Sequence, residues 1–340
     1  AASELGSRIR NALAVAGHAP GGPGAGTDTR DRALGASDDG SAEEIMEPTV
    51  ATYNGYASSL LAEHGLRIGH EPDTRVIADA SRYQLAARAV ARYTGDVQLL
   101  SDHPETVINY LLTLEGAMSE HLVDIGDVRA FQDREMPRVR KVIETARAKA
   151  DAKKVLNAME RREELLGLVS TYRRLKAELG LMDFSDQIAL AARLADAHPE
   201  VGELERAKFR IVLLDEYQDT SVAQALMLRQ LFGGGHPVTA VGDPNQAIYG
   251  WRGASVANIL GFGKDFPRAD GSPDVPIHPL TINRRSDRRI LETANRLAAP
   301  LLEKYPQVRA LDPGETAGEG GAAVLRRGTL RLRDRGRECS

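Results

Sequence analysis

Cysteine and long apolar runs are scarce in this sequence, and each scarcity excludes a class of protein. The single cysteine, Cys339, excludes an internal disulfide and fits a reducing compartment. No apolar run reaches the roughly 20 residues of a transmembrane helix, and no signal-peptide pattern opens the chain, so we expect a cytoplasmic protein with no membrane partner. The net charge of −4 provides no overall attraction for nucleic acid. Any contact with nucleic acid must therefore use a local surface.

The most informative stretch of the sequence is FRIVLLDEYQDT, residues 209–220. Its apolar, β-branched beginning contains no Gly or Pro and predicts a strand buried on both faces, as in a parallel sheet covered by helices. Asp215 and Glu216 follow at the carboxyl end, the edge of an α/β sheet where ligands bind. In nucleotide hydrolases such an Asp helps to hold Mg²⁺ and such a Glu orients the attacking water. A solvated turn before a helix N-terminus explains the dipeptide alone equally well.

A helix and a second strand are predicted next. Ser221 and Gln224 have the spacing of a capping box and predict a helix over 221–232, with a buried stripe formed by Val222, Ala225, Leu226 and Leu231. Three glycines then lead to a short strand over 238–241. Strand, helix and strand form a βαβ unit, which we expect to be right-handed.

Two further motifs make a family resemblance specific. GDPNQAIYGWRGA follows the second strand at 242–254, and LTINRRS lies at 280–286. Together with DEYQDT they resemble motifs II, III and IV of superfamily 1 DNA helicases of the UvrD/Rep type. Three motifs in this order leave chance at roughly one in a hundred or less. The resemblance implies an α/β fold: a RecA-like parallel-sheet motor domain of the P-loop NTPase type, with a helical insertion and the start of a second motor domain.

The resemblance implies a catalytic role for each matching residue. Asp215 becomes the Mg²⁺ ligand, Glu216 the residue that activates water, and Gln246 the sensor of the γ-phosphate of ATP. Arg285 supplies charge in the transition state, where one guanidinium is worth several orders of magnitude in related hydrolases; the alternative is an exposed arginine at a helix start. Arg284 departs from the family, which often has a Tyr stacked on adenine. A guanidinium also stacks on a base, so nucleotide binding is expected to survive, with base selectivity left open.

The resemblance also places single-stranded DNA against the third motif. Tyr249 and Trp251 would stack on bases while Arg252 tracks phosphate. Two core aromatics are the alternative reading of this pair. The glycines at 250 and 253 favour a tight exposed turn instead.

Residues 48–57 resemble motif Ib, in which Thr52, Tyr53 and Asn54 would contact DNA. Thr52 and Asn54 could donate hydrogen bonds to the DNA backbone, which position the strand without reading its sequence. A plain strand-to-helix junction is an equally good interpretation of this short match.

By resemblance the chain divides into five parts. Residues 1–74 are a partial first motor domain (1A) with a disordered loop at about 20–45, and residues 75–199 are a helical insertion (1B-like). The first motor domain resumes over 200–275, the second begins over 276–313, and 314–340 form an irregular tail. Three helix faces are predicted within these parts: a solvated charged face over 138–162, a buried stripe from Leu165 to Met182, and buried apolar residues in a helix over 287–302 (Ile290, Leu291, Ala294, Leu297 and Leu301).

The phosphate-binding loop G-x-x-x-x-G-K-[ST] is absent from the 340 residues, and so are motifs V and VI. The glycines at 21–26 are followed by no Lys and preceded by no strand, so we interpret them as a surface loop. Residues 1–10 resemble the second half of motif Ia. We therefore expect the phosphate loop upstream of Ala1 and an inactive chain when these residues are taken alone.

The expected function is that of an ATP- and Mg²⁺-dependent UvrD/Rep-type DNA helicase or translocase. It would act on single-stranded DNA and duplex–single-strand junctions, in the 3'-to-5' direction by resemblance, in DNA repair or recombination at the nucleoid. One alternative is the motor part of an AdnAB/RecBCD-like helicase-nuclease, whose partners the sequence does not reveal. Another is a non-catalytic DNA-binding remnant.

Overall fold

A computed structural model describes residues 7–8, 48–145, 149–305 and 307–319, except for the side chains of Thr145, Lys149 and Arg252. The glycine-rich loop, most of the segment resembling motif Ia and the tail from residue 320 lie outside this part of the chain. The chain forms two compact units, residues 1–201 and 202–340. The finer five-part division remains a prediction.

The first unit is built mainly from helices. They are α1 (Tyr53–His64), α2 (Asp79–Arg92), α3 (Pro104–Glu120), α4 (Ile125–Thr145), α5 (Lys149–Glu178) and α6 (Phe184–Ala197). Two short strands, β1 (Arg75–Val76) and β2 (Leu181–Met182), pair in parallel. Helices α2, α3 and α5 enclose a hydrophobic core with the fully buried Leu111, Leu166 and Tyr172 at its centre. The nearly all-helical character predicted for residues 75–199 is confirmed over the described part of that range.

The predicted stripe of α5 is confirmed over most of its length. Leu165, Leu168, Val169, Tyr172 and Leu175 are all buried. The helix ends at Glu178, however, so Leu179 falls outside it and is exposed, and Met182 is buried in β2 instead. The charged face is confirmed as solvated: Arg138, Arg140 and Lys154 are exposed and form ion pairs with neighbouring carboxylates.

A buried ionic network joins the first-unit helices at the start of α6. The Lys176 Nζ atom lies 2.8 Å from Glu115 Oε1, 2.6 Å from Asp186 Oδ2 and 3.4 Å from Asp183 Oδ2. The Arg82 guanidinium pairs with Asp183 at 3.0 Å. Because Asp183 and Asp186 also form the capping box of α6, the network fixes where this helix begins.

Charge and burial compete inside this network. Burial alone lowers the pKa of Lys176, but the carboxylates of Glu115, Asp186 and Asp183 outweigh it and the pKa is raised. Burial raises the pKa of Glu115, which is fully enclosed. Burial also opposes ionisation of Asp183, but Lys176 and Arg82 dominate and lower its pKa. The charge of Lys176 therefore opposes the effect of burial on the pKa of Glu115 and of Asp183.

The second unit carries the βαβ arrangement. After α7 (Pro199–Lys208), which contains the boundary between the units, come β3 (Val212–Leu214), α8 (Val222–Phe232) and β4 (Val238–Ala240). Strands β3 and β4 pair in parallel, which confirms the α/β fold class. The capping box of Ser221 and Gln224 is formed as predicted. Short helices α9 (Val256–Leu260) and α10 (Phe262–Asp265) follow, then β5 (Ile282–Asn283), α11 (Arg288–Lys304) and β6 (Asp312–Pro313).

The burial prediction for β3 is wrong, and those for α8 and α11 are confirmed only in part. Strand β3 is not buried on both faces: Leu214 is buried, but Ile211 and Leu213 on the opposite face are exposed, Leu213 by 72%. In α8 Ala225 and Leu231 are buried as predicted, but Val222 and Leu226 are only half-buried, and Met227 and Leu228 are buried instead. In α11 only Leu291 is buried and Leu297 is 77% exposed. Apolar spacing predicts which face can be buried, but burial also requires a packing partner.

Among the helices of the described ranges, none is both long enough and apolar enough to cross a bilayer.

Candidate functional site

The Asp215–Glu216 pair lies in a tight turn directly after β3. Both side chains are exposed, and Asp215 Oδ1 accepts a hydrogen bond from the Glu216 backbone N–H at 3.1 Å. Glu216 has φ 50° and ψ 41°, a left-handed conformation that costs a non-glycine residue about 1–3 kcal/mol. Buried Tyr217 holds the turn from behind, because its backbone N–H donates to Val241 O and its ring packs edge-on against Phe262. The turn thus presents two carboxylates at the carboxyl edge of the sheet.

Gln218 links this turn to the segment that follows β4. Its side chain is buried, with only 1% of the residue exposed. Nε2 donates to Glu216 Oε2 at 2.7 Å and also lies 3.5 Å from Asp219 Oδ2. Oε1 accepts from the backbone N–H of Asp243 at 3.1 Å. One side chain therefore touches both predicted motifs.

Asp243 organises the segment after β4. Its Oδ1 accepts from the Asn245 backbone N–H at 2.9 Å, and its Oδ2 accepts from Gln246 Nε2 at 2.8 Å. Gly242 beside it has no room for a side chain: a Cβ there would lie 2.7 Å from Ile259 Cδ1 and would also collide with Gln218 Oε1. The glycine is thus required by the close approach of the Gln218 side chain.

The aromatic turn lies immediately beyond. Residues 250–252 form one 3-10 turn that ends at Gly253, with φ 78°. Trp251 is 73% exposed, Tyr249 is exposed as well, and their ring centroids are 6.5 Å apart. The exposed turn favoured from the glycines is confirmed, and the reading of these residues as core aromatics is wrong. The side chain of Arg252 lies outside the described part of the structure.

Polar contacts also tie together the far ends of the two motifs. Asn258 Nδ2 donates to the Thr220 carbonyl at 2.9 Å, and the Ser255 backbone N–H donates to the same oxygen at 3.1 Å. Ser221 and Ala254 form an isolated antiparallel bridge. The acidic turn and the aromatic turn are therefore held as neighbouring parts of one framework.

Asp219 lies behind the acidic turn. Burial raises the pKa of its carboxyl group, and the nearby Glu216 charge raises it further.

Arg284 and Arg285 are positioned by a different set of contacts. Asn283, at the end of β5, accepts from the backbone N–H groups of Arg285 at 3.0 Å and Ser286 at 2.8 Å. Both arginines are exposed and line a small cavity of about 70 Å³ together with Asp287 and Thr316. The β5–β6 pair, rather than the acidic turn, thus determines where these arginines lie.

The predicted motif Ib residues have structural partners in the first unit. Thr52 caps α1, because its hydroxyl accepts from the Gly55 backbone N–H at 3.0 Å. Asn54 Nδ2 donates to the Phe184 carbonyl at 2.9 Å and lies 3.5 Å from Gln187 Oε1. DNA contacts by Thr52, Tyr53 and Asn54 remain predictions.

Sequence reasoning missed Gln218. This residue lies within DEYQDT, and its hydrogen bonds to Glu216 and Asp243 appear only in the folded chain. No periodic signal in the sequence marks these contacts.

The βαβ frame, the acidic turn after its first strand and the Gln- and aromatic-containing segment after its second form the candidate site of a domain of the helicase class. Residues 1–267 match the model of the UvrD/REP helicase N-terminal domain, and the chain belongs to this family. The predicted family is thereby confirmed, and with it an enzyme family of ATP-hydrolysing DNA helicases.

Individual relatives match over shorter segments. ATP-dependent DNA helicase PcrA of Bacillus subtilis strain 168 is 43% identical over 114 residues, which are 34% of this chain and 15% of that protein. PcrA of Staphylococcus aureus strain Mu50 is 36% identical over 159 residues, 46% of this chain and 21% of that protein. DNA helicase II of Rickettsia typhi is 42% identical over 115 residues, 34% of this chain and 17% of that protein. The matched segments thus span at most about a fifth of these relatives.

Proposed function

We propose that this chain is part of an ATP-driven motor that translocates along single-stranded DNA and unwinds duplex at single-strand junctions. The observation that carries the proposal is the placement of the two turns at adjacent strand ends: β3 ends in the two carboxylates, and its parallel partner β4 leads into the exposed aromatics. Hydrolysis and strand binding would thus share one framework. The family implies the 3'-to-5' direction and a role in repair or recombination at the nucleoid.

In this proposal Asp215 and Glu216 divide the hydrolytic work. Mg²⁺ uses one or two carboxylates together with water and phosphate oxygens, and the exposed Asp215 carboxylate fits that pattern. Bound Mg²⁺ would neutralise charge on the phosphates of ATP. Glu216 would accept the proton of the attacking water, Gln246 would contact the γ-phosphate, and Arg284 and Arg285 would approach the nucleotide from the β5 side.

Tyr249 and Trp251 would bind the DNA strand. Their exposed rings are close enough for successive bases to stack on them, and stacking on aromatic side chains tolerates any base. Sequence-independent binding is what a translocating motor requires. Arg252 is proposed to add a phosphate contact on the basis of the family motif alone.

Replacing the tryptophan tests the strand-binding role. Trp251→Ala is expected to weaken binding of a labelled single-stranded oligonucleotide by about 1–3 kcal/mol, because one stacking platform is removed. Fluorescence anisotropy at constant salt measures the affinity. Circular dichroism should remain unchanged, because the side chain is 73% exposed.

Tyr110→Ala is the matched control, because Tyr110 is an exposed aromatic on α3 of the first unit. It should leave DNA affinity within experimental error. Equal affinities of the Trp251→Ala protein and the parent would overturn the stacking role. Unfolding of the Trp251→Ala protein without loss of affinity per folded molecule would overturn it as well.

A further test concerns the nucleotide. Residues 1–340 contain no G-x-x-x-x-G-K-[ST] sequence, whose backbone N–H groups and Lys hold the phosphates in this fold. We expect no DNA-stimulated ATP turnover from these residues alone, and turnover from the full-length gene product, measured by phosphate release. Turnover by residues 1–340 that disappears in Glu216→Gln would show that phosphates bind elsewhere, with the glycines at 21–26 as the first place to examine.

A further inference from the structure

A groove in the first unit lies between β1 and one face of α2. Its volume is about 410 Å³, within the range of ligand-binding clefts. The apolar side chains that line it include Val76 and Leu179, which are 40% and 42% exposed, and the buried Leu85. The groove therefore offers apolar surface that is open to solvent.

Two arginines give this groove a positive charge. Arg75 on β1 and Arg88 on α2 both line it and are exposed, and its lining residues include no Asp or Glu. Neither arginine forms an ion pair with a described residue, whereas Arg82 on the same helix pairs with Asp79 and Asp183. A guanidinium binds a carboxylate through parallel hydrogen bonds. The charge of the groove therefore fits an acidic ligand.

Uncharged polar groups lie beside the arginine on α2. Ser81, Gln84 and Arg88 have three- and four-residue spacing and so form one stripe of the helix. Ser81 and Gln84 are exposed, and their side chains can both donate and accept hydrogen bonds. This side of the groove can therefore bind polar groups of a ligand as well as its charge.

Strand β1 has a free edge beside the groove. Within the described residues it pairs with β2 alone. The backbone N–H groups of Arg75 and Ile77 donate to Gly180 O at 2.9 Å and to Met182 O at 2.8 Å. Because alternate residues of a strand bond to the same neighbour, the N–H and C=O of Val76 point away from β2. Such an unpaired edge can bind another extended chain.

We propose that this groove binds an extended peptide segment of a partner protein, one that contains both acidic and apolar residues. The segment would pair with the free edge of β1, place apolar side chains against Val76 and Leu179, and place carboxylates against Arg75 and Arg88. In strand addition, main-chain hydrogen bonds provide affinity and side-chain pockets provide specificity. DNA phosphate could also bind the arginines, but it would use neither the apolar surface nor the strand edge. This inference does not depend on the proposed function.

Peptide binding to the full-length gene product tests the inference. The probe is a fluorescein-labelled, capped octapeptide with a β-branched centre and glutamates at both ends, and fluorescence anisotropy measures its Kd. We expect saturable binding. The same peptide with lysines in place of the glutamates should not bind, because the arginines repel it. A version with N-methylated central residues should bind about tenfold more weakly, because it loses main-chain hydrogen bonds.

Two variants test the surface on the protein side. Arg75→Gln combined with Arg88→Gln should weaken binding of the glutamate peptide by about tenfold or more, because the charge-assisted hydrogen bonds are lost. Leu179→Glu should weaken it as well, because it places a negative charge on the apolar surface. All three side chains are exposed, so circular dichroism should remain unchanged. Arg92→Gln is the matched control, since Arg92 is exposed on α2 but does not line the groove.

Several outcomes would overturn the inference. Absence of saturable binding of the glutamate peptide to the parent would show that the groove is not a peptide site. Equal affinity for the N-methylated peptide would exclude strand addition. Equal affinity of the double arginine variant and the parent, or an equal loss in Arg92→Gln, would show that the arginines of the groove have no specific role. Binding of single-stranded or duplex oligonucleotides that is lost in the double variant, without any binding of the peptide, would identify a phosphate site instead.

Discussion

Glu216→Gln in the full-length gene product is expected to lower ATP turnover by about 10²–10⁴-fold, the contribution of a positioned general base. The amide keeps the size of the side chain, and its oxygen can still accept from Gln218 Nε2, so the turn should keep its geometry. What is lost is the ability to accept a proton from water. Steady-state phosphate release with saturating single-stranded DNA measures the effect, and equilibrium binding of labelled Mg·ATP should be nearly unchanged.

Glu203→Gln provides the control for this experiment. Glu203 is an exposed carboxylate on α7 in the same unit, and its replacement should leave turnover at the parent level. If the Glu216→Gln protein turned over ATP at the parent rate, Glu216 would have no role in hydrolysis. The proposed assignment of the acidic turn would then have to be abandoned.

Lys176→Met should lower the free energy of unfolding by about 3–5 kcal/mol, the usual cost of removing one partner from a buried ion pair. The methionine can occupy the space of the lysine stem, but Glu115, Asp183 and Asp186 would lose the cation that lies within 2.6–3.4 Å of them. Glu115 is fully buried, so solvent cannot replace that charge. Urea denaturation of residues 1–340, followed by far-UV circular dichroism, measures the change.

Lys154→Met is the comparison. Lys154 also pairs with a carboxylate, Asp151 at 3.3 Å, but its side chain is 80% exposed. Exposed pairs contribute about 0–1 kcal/mol, so this variant should unfold close to the parent midpoint. Similar midpoints for the two variants would show that the Lys176 network adds no more stability than a surface pair.

The pattern of the sequence was enough for the βαβ unit. Apolar runs of strand length on either side of a capped, helix-length segment predict strand, helix and strand, and the structure has them at 212–214, 222–232 and 238–240. The strands are shorter than the apolar runs. An apolar run includes every residue that could enter a strand. The hydrogen-bonded strand itself forms only where the backbone of a partner strand lies alongside.

Burial was predicted less well than secondary structure. The apolar residues of β3 and α11 have the spacing expected of core residues, yet Leu213 and Leu297 are exposed. Spacing is a property of one segment, but burial is a property of two surfaces in contact. Sequence reasoning therefore identified the face that could be buried without identifying what covers it.

The same distinction, between properties of one segment and properties of segments in contact, applies to the candidate site. The sequence alone determined the residue types with chemical capacity and their order: two carboxylates after one strand, then a glutamine and two aromatics after the next. Residue types and short spacings determine which chemical groups lie near one another along the chain, so motifs can be recognised without coordinates. Only the tertiary structure decided that Gln218 touches both Glu216 and Asp243, that the aromatic turn is exposed, and that Lys176 lies among three carboxylates from α3 and the start of α6. These contacts join residues whose separation along the chain carries no periodic signal, and they form only when packing brings the elements together.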